Sequence, residues 1–214
     1  ILSRGINMAE IEYFYAAYSG YAYLGSKKFM EIIAQGDHTI NHKPFDLRVS
    51  MDAIGGQPFH ERTIDNLEYF FGRELERWSE FRDAPILKRS PTYHGNSITP
   101  SNTMLIAALV KGINIDKFAH EMMEQHWAHD CDLANVNTLA SIARQVGIDP
   151  SPLLEIASSQ EVLKIYEENT REAIKRSVFG SPTYFIDGDM FYGQDHLELV
   201  ERALIEPFSQ RIQK

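Results

Sequence analysis

The sequence predicts an α/β protein in which a βαβ unit at the start and a ββα unit at the end share one sheet, with an all-helical insertion between them. Three observations carry this. The first stretch alternates an extended aromatic run, a helical pattern and a second extended run. From Glu61 to Arg176 the apolar period becomes helical. After it comes Asp187-Gly188, a two-residue hairpin signal with extended runs on both sides. The expected boundaries are 9–56 for the first part of the sheet domain, 57–176 for the insertion and 177–214 for the second part.

Ile11 to Tyr15 is β-branched and aromatic and reads as a strand. Ser19-Gly20 ends it. Tyr21 to Ala34 then carries Tyr23, Leu24, Phe29, Ile32 and Ile33 at helical spacing and stops before Gly36. Thr39 to Phe45 is a second strand. Strand, helix and strand in this order imply a parallel pair with a right-handed crossover. In the middle, Leu67, Phe70, Phe71, Leu75, Trp78 and Phe81 fall on one stripe of a single helix. Asn102 is the expected N-cap of a helix through Val110, and Asp116 to Ala128 forms another. Asn137 caps Thr138 to Val146, with Gly147 as the left-handed stop. Pro152 to Ala157 is a short helix, and Ser159 caps a long one holding Val162, Ile165, Tyr166 and Ile174. Thr183 to Ile186 and Met190 to Tyr192 form the hairpin. Asp195 opens the last helix, with Asp195 and Glu198 spaced as a capping box.

Composition narrows the function. Lys and Arg total 21 against 30 Asp and Glu, a net charge of -9, which argues against nucleic acid as a partner. The one cysteine, Cys131, excludes an intramolecular disulfide and a CxxC redox pair. It fits a reducing, cytoplasmic setting. The longest purely apolar run, Leu105 to Val110, is far short of a membrane span. Ile1 to Asn7 lacks the features of a secretory signal, and Met8 reads as the natural start. His126, His129 and Cys131 match no zinc spacing, so no metal is expected.

Three junctions carry candidate chemistry. Ser19 sits where the first helix begins. On residue type alone it reads first as an ordinary N-cap, with part of an anion site made with the helix N-terminus as the alternative. Ser181-Pro182 opens the third strand. A cis bond there would present the Ser181 backbone to an extended ligand, whereas a trans bond is the commoner case. Tyr192-Gly193-Gln194-Asp195 joins the last strand to the last helix. The Gln194 and Asp195 amides suit a carboxylate and the Asp195 side chain suits an ammonium, which together make a receptor for an α-amino acid zwitterion.

These residues resemble those of the 2-hydroxychromene-2-carboxylate isomerase family and the related kappa-class glutathione transferases. Tyr18 to Leu24 is similar to their Ser-Pro-Tyr-Ser-Tyr-Leu motif, with Gly20 and Ala22 as departures. Val178 to Leu204 resembles their C-terminal signature, including Gly180, Pro182, Asp187-Gly188, Phe191, Gly193, Gln194 and Asp195. The resemblance implies a thioredoxin-like domain interrupted by a helical insertion, with glutathione as cofactor and a homodimer as the assembly. It gives Ser19 the place that contacts the glutathione sulfur, where disulfide oxidoreductases keep their first cysteine. It gives Ser181, before Pro182, the cysteinyl part, and Gln194 and Asp195 the γ-glutamyl part. Two further departures stand out. Gly55-Gly56-Gln57-Pro58-Phe59 replaces a Gly-Asn-x-Pro-Pro segment, and the family's downstream lysine has no counterpart in Glu61 to Asn66, although Arg62 is nearby.

The implied reaction is reversible addition of the glutathione thiolate to an unsaturated or aryl 2-oxo acid. A thiol is a weak nucleophile near its ordinary pKa of about 8.5, and a helix N-terminus with the Ser19 hydroxyl would favour the thiolate. Tyr15, Tyr18, Tyr21 and Tyr23 cluster near Ser19, so Tyr21 and Tyr23 are candidate substrate contacts and the rest of the cluster reads as core. Lys43, Arg48 and Arg62 are candidates for the substrate carboxylate. A kappa-type transferase or peroxidase, and a non-catalytic glutathione-binding protein, are the alternative readings.

Overall fold

A computed structural model describes residues 8–57 and 61–209. Ile1 to Asn7, Pro58 and Phe59 therefore lie outside the described residues. Strands β1 (Glu10–Tyr15) and β2 (Thr39–Pro44) flank helix α1 (Gly20–Ala34), as the sequence predicts. Helices α2 (Leu47–Ala53), α3 (Ile64–Glu68), α4 (Glu74–Arg82), α5 (Thr99–Val110), α6 (Asp116–Trp127), α7 (Val136–Gln145), α8 (Ser151–Ile156) and α9 (Gln160–Lys175) follow. Strands β3 (Thr183–Ile186) and β4 (Asp189–Tyr192) and helix α10 (Leu197–Ile205) close the chain. The sheet order is β2-β1-β3-β4, with β1 and β2 parallel and the other neighbours antiparallel. Both predicted units thus share one sheet. No helix among the described residues is long and apolar enough to cross a membrane.

Alternation along β1 separates the two faces. Tyr13 and Tyr15 face α1 and stack at 4.3 Å, and Tyr13 stacks again on Tyr184 at 5.3 Å. Phe14 faces the other way and packs with Phe45, Ala173 of α9, Val178 and Phe185. On that face Arg176 grips both carboxylate oxygens of Glu12 at 2.7 and 2.9 Å over the Phe185 ring. Lys43 lies there too. Its ammonium bonds Glu172 of α9 at 2.8 Å and sits over Phe14. That corrects the expectation of Lys43 as a substrate contact, because β2 pairs Lys43 with Phe14 and so turns it to the face away from α1.

The middle of the chain departs from the single stripe. A π turn over Tyr69–Arg73 separates α3 from α4. One added residue rotates everything after it by about 100°, so the six aligned residues do not share a buried face. Leu75 is 2% exposed, whereas Phe81 is 72% exposed. Asn102 is no cap: α5 begins three residues earlier, at Thr99, and Asn102 is fully buried inside it. Helix α7 is capped by Asn135 rather than Asn137, its side chain accepting from the backbone of Asn137 and Thr138. Helix α2, capped by the Asp46 carboxylate, was not anticipated. Asp195 caps nothing. It lies on a 3-10 turn over Gln194–His196 that opens at Gly193, and Glu198 bonds Arg82 instead of closing a capping box.

Candidate functional site

Ser19 begins α1. Its Oγ accepts from the Ala22 amide at 3.2 Å and donates to the Ser181 carbonyl at 3.0 Å. The hydroxyl therefore joins the helix N-terminus to the segment before β3. Ser181 returns the link, its Oγ accepting from the Ala16 amide at 3.1 Å. The Ser181–Pro182 peptide is cis. Two elements far apart in sequence are thus held edge to edge, with the positive end of a 15-residue helix at the junction.

The loop before Ser19 is fixed from the helical side. Buried Asn102 accepts from the Ala17 amide at 3.0 Å and donates to the Phe45 carbonyl and to the Tyr166 hydroxyl. The Trp127 indole donates to the Tyr18 carbonyl at 2.8 Å. Gly20 lets that ring approach, since a Cβ there would lie 2.7 Å from it. Gly20→Ala is expected to lower stability by about 1–3 kcal/mol through overpacking. Denaturant melts with Trp fluorescence as readout check this.

On the β4 side, Gly193 adopts φ 97°, a conformation that favours glycine, and its amide bonds the Pro182 carbonyl at 2.9 Å. Tyr192 lies over Gly180, where a Cβ would be 2.8 Å from the ring. Gln194 is 1% exposed and Asp195 is exposed, its carboxylate 3.8 Å from the His196 ring. Burial raises the Tyr192 hydroxyl pKa, and the Asp195 charge adds to that while Arg62 opposes it.

The candidate substrate contacts separate. Tyr21 is half-buried and donates to the Phe70 carbonyl in the π turn at 2.6 Å. Its pKa is raised by burial and then by the charges of Glu74, Tyr192 and Asp195, which puts it beside the β4 turn. Arg62 lies over Phe71 and bonds Asn66 at 3.3 Å, with a buried Nε that has no partner among the described residues. The charges of Tyr192 and Asp195 thus act on Tyr21, and those of Asp195 and Arg62 on Tyr192. Tyr23 differs. It is 1% exposed and bonds the Pro85 carbonyl, because two residues along a helix differ by about 200° in direction. That corrects its assignment as a substrate contact. Arg48 lies over the Tyr18 ring and donates to the His94 and Asn96 carbonyls. Gly56 bonds the Met51 carbonyl through its amide.

Behind Tyr18 is a histidine pair. His126 Nδ1 meets the Cys131 carbonyl at 2.9 Å, so it must donate. His126 Nε2 then accepts from His94 Nδ1 at 3.0 Å. Burial, then the neighbouring His126 and Arg48, push His94 from 6.5 down to about 4. The unfolded chain would protonate this ring first. Its contribution to stability is therefore complete above pH 6.5 and is lost as pH falls from there to about 4. Urea unfolding across that window is expected to show the loss, and His94→Gln is expected to flatten the slope.

Sequence reasoning missed Arg82, Asn102 as a buried anchor, Trp127 and His94. Each acts through a partner distant in the chain, and only Asn102 carried a local signal, which pointed to the wrong role.

A family model described as a DSBA-like thioredoxin domain matches residues 10–205. The chain belongs to that family, which bears out the thioredoxin-like fold. It is similar to 2-hydroxychromene-2-carboxylate isomerase of Sphingobium xenophagum, 24% identical over 198 residues, covering 92% of this chain and 98% of the relative. It is also similar to a protein of Caenorhabditis elegans named glutathione S-transferase kappa 2, 25% identical over 217 residues and covering 94% of each. A solved structure of a 2-hydroxychromene-2-carboxylate isomerase superposes with a TM-score of 0.76 at 24% identity, covering 91% of this chain and 94% of that one.

Proposed function

We propose that this protein is a glutathione-dependent isomerase of the 2-hydroxychromene-2-carboxylate type, acting on an unsaturated or aryl 2-oxo acid. The observation that carries the reading is the Ser19 hydroxyl at the α1 N-terminus, 3.0 Å from the Ser181 carbonyl. The junction would hold glutathione, with the Ser181 carbonyl, beside Pro182, accepting from its cysteinyl N–H and the Ser19 hydroxyl donating to its sulfur. A charge-assisted hydrogen bond and the helix dipole then favour the thiolate. Gln194 and Asp195, following Tyr192 and Gly193, receive the γ-glutamyl end.

Glutathione, when bound there, would supply a thiolate for reversible addition to the substrate C=C, and it would be regenerated when that addition reverses. Arg62 takes the substrate carboxylate. Tyr21 and Tyr192 offer aromatic surface. The same reading includes a cytoplasmic homodimer, and free Cys131 is in keeping with that compartment.

The test is incubation with a 2-hydroxychromene-2-carboxylate and glutathione. The proposal expects isomerisation that needs glutathione and leaves the thiol titre unchanged. Consumption of thiol would assign a kappa-type transferase instead. The name of the Caenorhabditis elegans relative keeps that second reading in view.

A further inference from the structure

Arg82, the last residue of α4, reaches from the helical region to the turn between β4 and α10. Its Nε donates to Gln194 Oε1 at 3.1 Å, its Nη2 to the Gln194 carbonyl at 3.2 Å and its Nη1 to Glu198 at 3.1 Å. The side chain is 8% exposed and stacks against Trp78 and Phe81 at 5.3 and 5.4 Å. Arginine only donates, so the Gln194 amide oxygen must face it and the Nε2 must turn away. That Nε2 is buried and has no partner among the described residues. From the other side, Gly25 of α1 admits Gln194, since a Cβ there would lie 2.5 Å from Gln194 Cβ. Gln194 is therefore clamped in one orientation with two unspent donors, one residue before the exposed Asp195.

We propose that Arg82 is a positioning residue that presets Gln194 Nε2 for a carboxylate, so that Gln194 and Asp195 together hold the α-amino acid end of the γ-glutamyl group. This rests on the glutathione reading above. A buried donor without a partner is unfavourable, and a ligand carboxylate removes that penalty on binding. A water shared with the Tyr184 hydroxyl, which also lacks a partner among the described residues, is the competing occupant. It would make Arg82 a stability residue with no effect on ligand choice.

The experiment compares calorimetric affinities for glutathione and for cysteinylglycine, which lacks the γ-glutamyl group. The proteins are wild type, Arg82→Met and Arg82→Lys, with melting temperatures as the fold control. Arg82→Met is expected to bind glutathione about tenfold more weakly and cysteinylglycine unchanged. Arg82→Lys keeps the charge but cannot span both Gln194 oxygens, so it falls between, and it carries the test if Arg82→Met does not fold. Equal weakening for both thiols, or weakening for neither, overturns the role of Arg82. A wild type that binds neither thiol overturns the glutathione reading and this role with it.

Discussion

Ser19→Ala is expected to lower glutathione-dependent turnover about a hundredfold, the scale on which a single donor to a developing anion acts. The fold should survive. Losing a serine N-cap costs about 1 kcal/mol, and for a chain of this size that moves the melting temperature by about 2–4 °C. The two effects separate because the hydroxyl has two tasks. It caps Ala22 in the free protein, and on the proposed reading it meets the sulfur in the complex. Ser19→Gly sharpens the comparison. Glycine keeps most of the cap preference and, like alanine, lacks the bond to the Ser181 carbonyl, so it should be as slow as the alanine variant and no less stable. Steady-state rates and thermal melts on the three proteins check both halves.

Asn102→Leu is expected to have the largest effect on stability. The Asn102 amide satisfies the Ala17 N–H and the Phe45 carbonyl in a site with no exposure to water. Leucine fits the volume and strands both backbone groups. Each buried group left unpaired costs about 1–3 kcal/mol, so about 3 kcal/mol in total is a conservative expectation. The melting temperature should fall by about 6–12 °C. The damage should also reach the ligand, because Ala17 lies two residues before Ser19. Glutathione affinity measured well below the melting transition is therefore expected to fall as well.

What the sequence revealed tracks the range of the interactions. Ser19, Ser181 and Gly193 lie at junctions marked by glycine or proline within a residue or two, and local backbone chemistry made them visible. The Asp187-Gly188 turn did the same for the hairpin. The helical region failed where periodicity has no warning of a π turn, so Phe81 and Leu75 were placed on one face and the structure separates them. Asparagine favours caps, and that preference alone predicts a cap at Asn102. Its partner Ala17 lies 85 residues away, and nothing near Asn102 in the chain announces that contact. Arg82 and Gln194 are separated by 112 residues and are invisible for the same reason. Tyr21 and Tyr23 look alike beside Ser19 in the sequence, and only the rotation of α1 sends one to the Phe70 carbonyl and the other into the core.

The proposed glutathione site runs along the junction of Ser19, Ser181 and Gln194. Calorimetric titration of the wild-type protein with reduced glutathione tests it most directly. Saturable binding at one site per chain, weakened by Ser19→Ala, is the predicted result. No heat of binding, or binding untouched by Ser19→Ala, would contradict it.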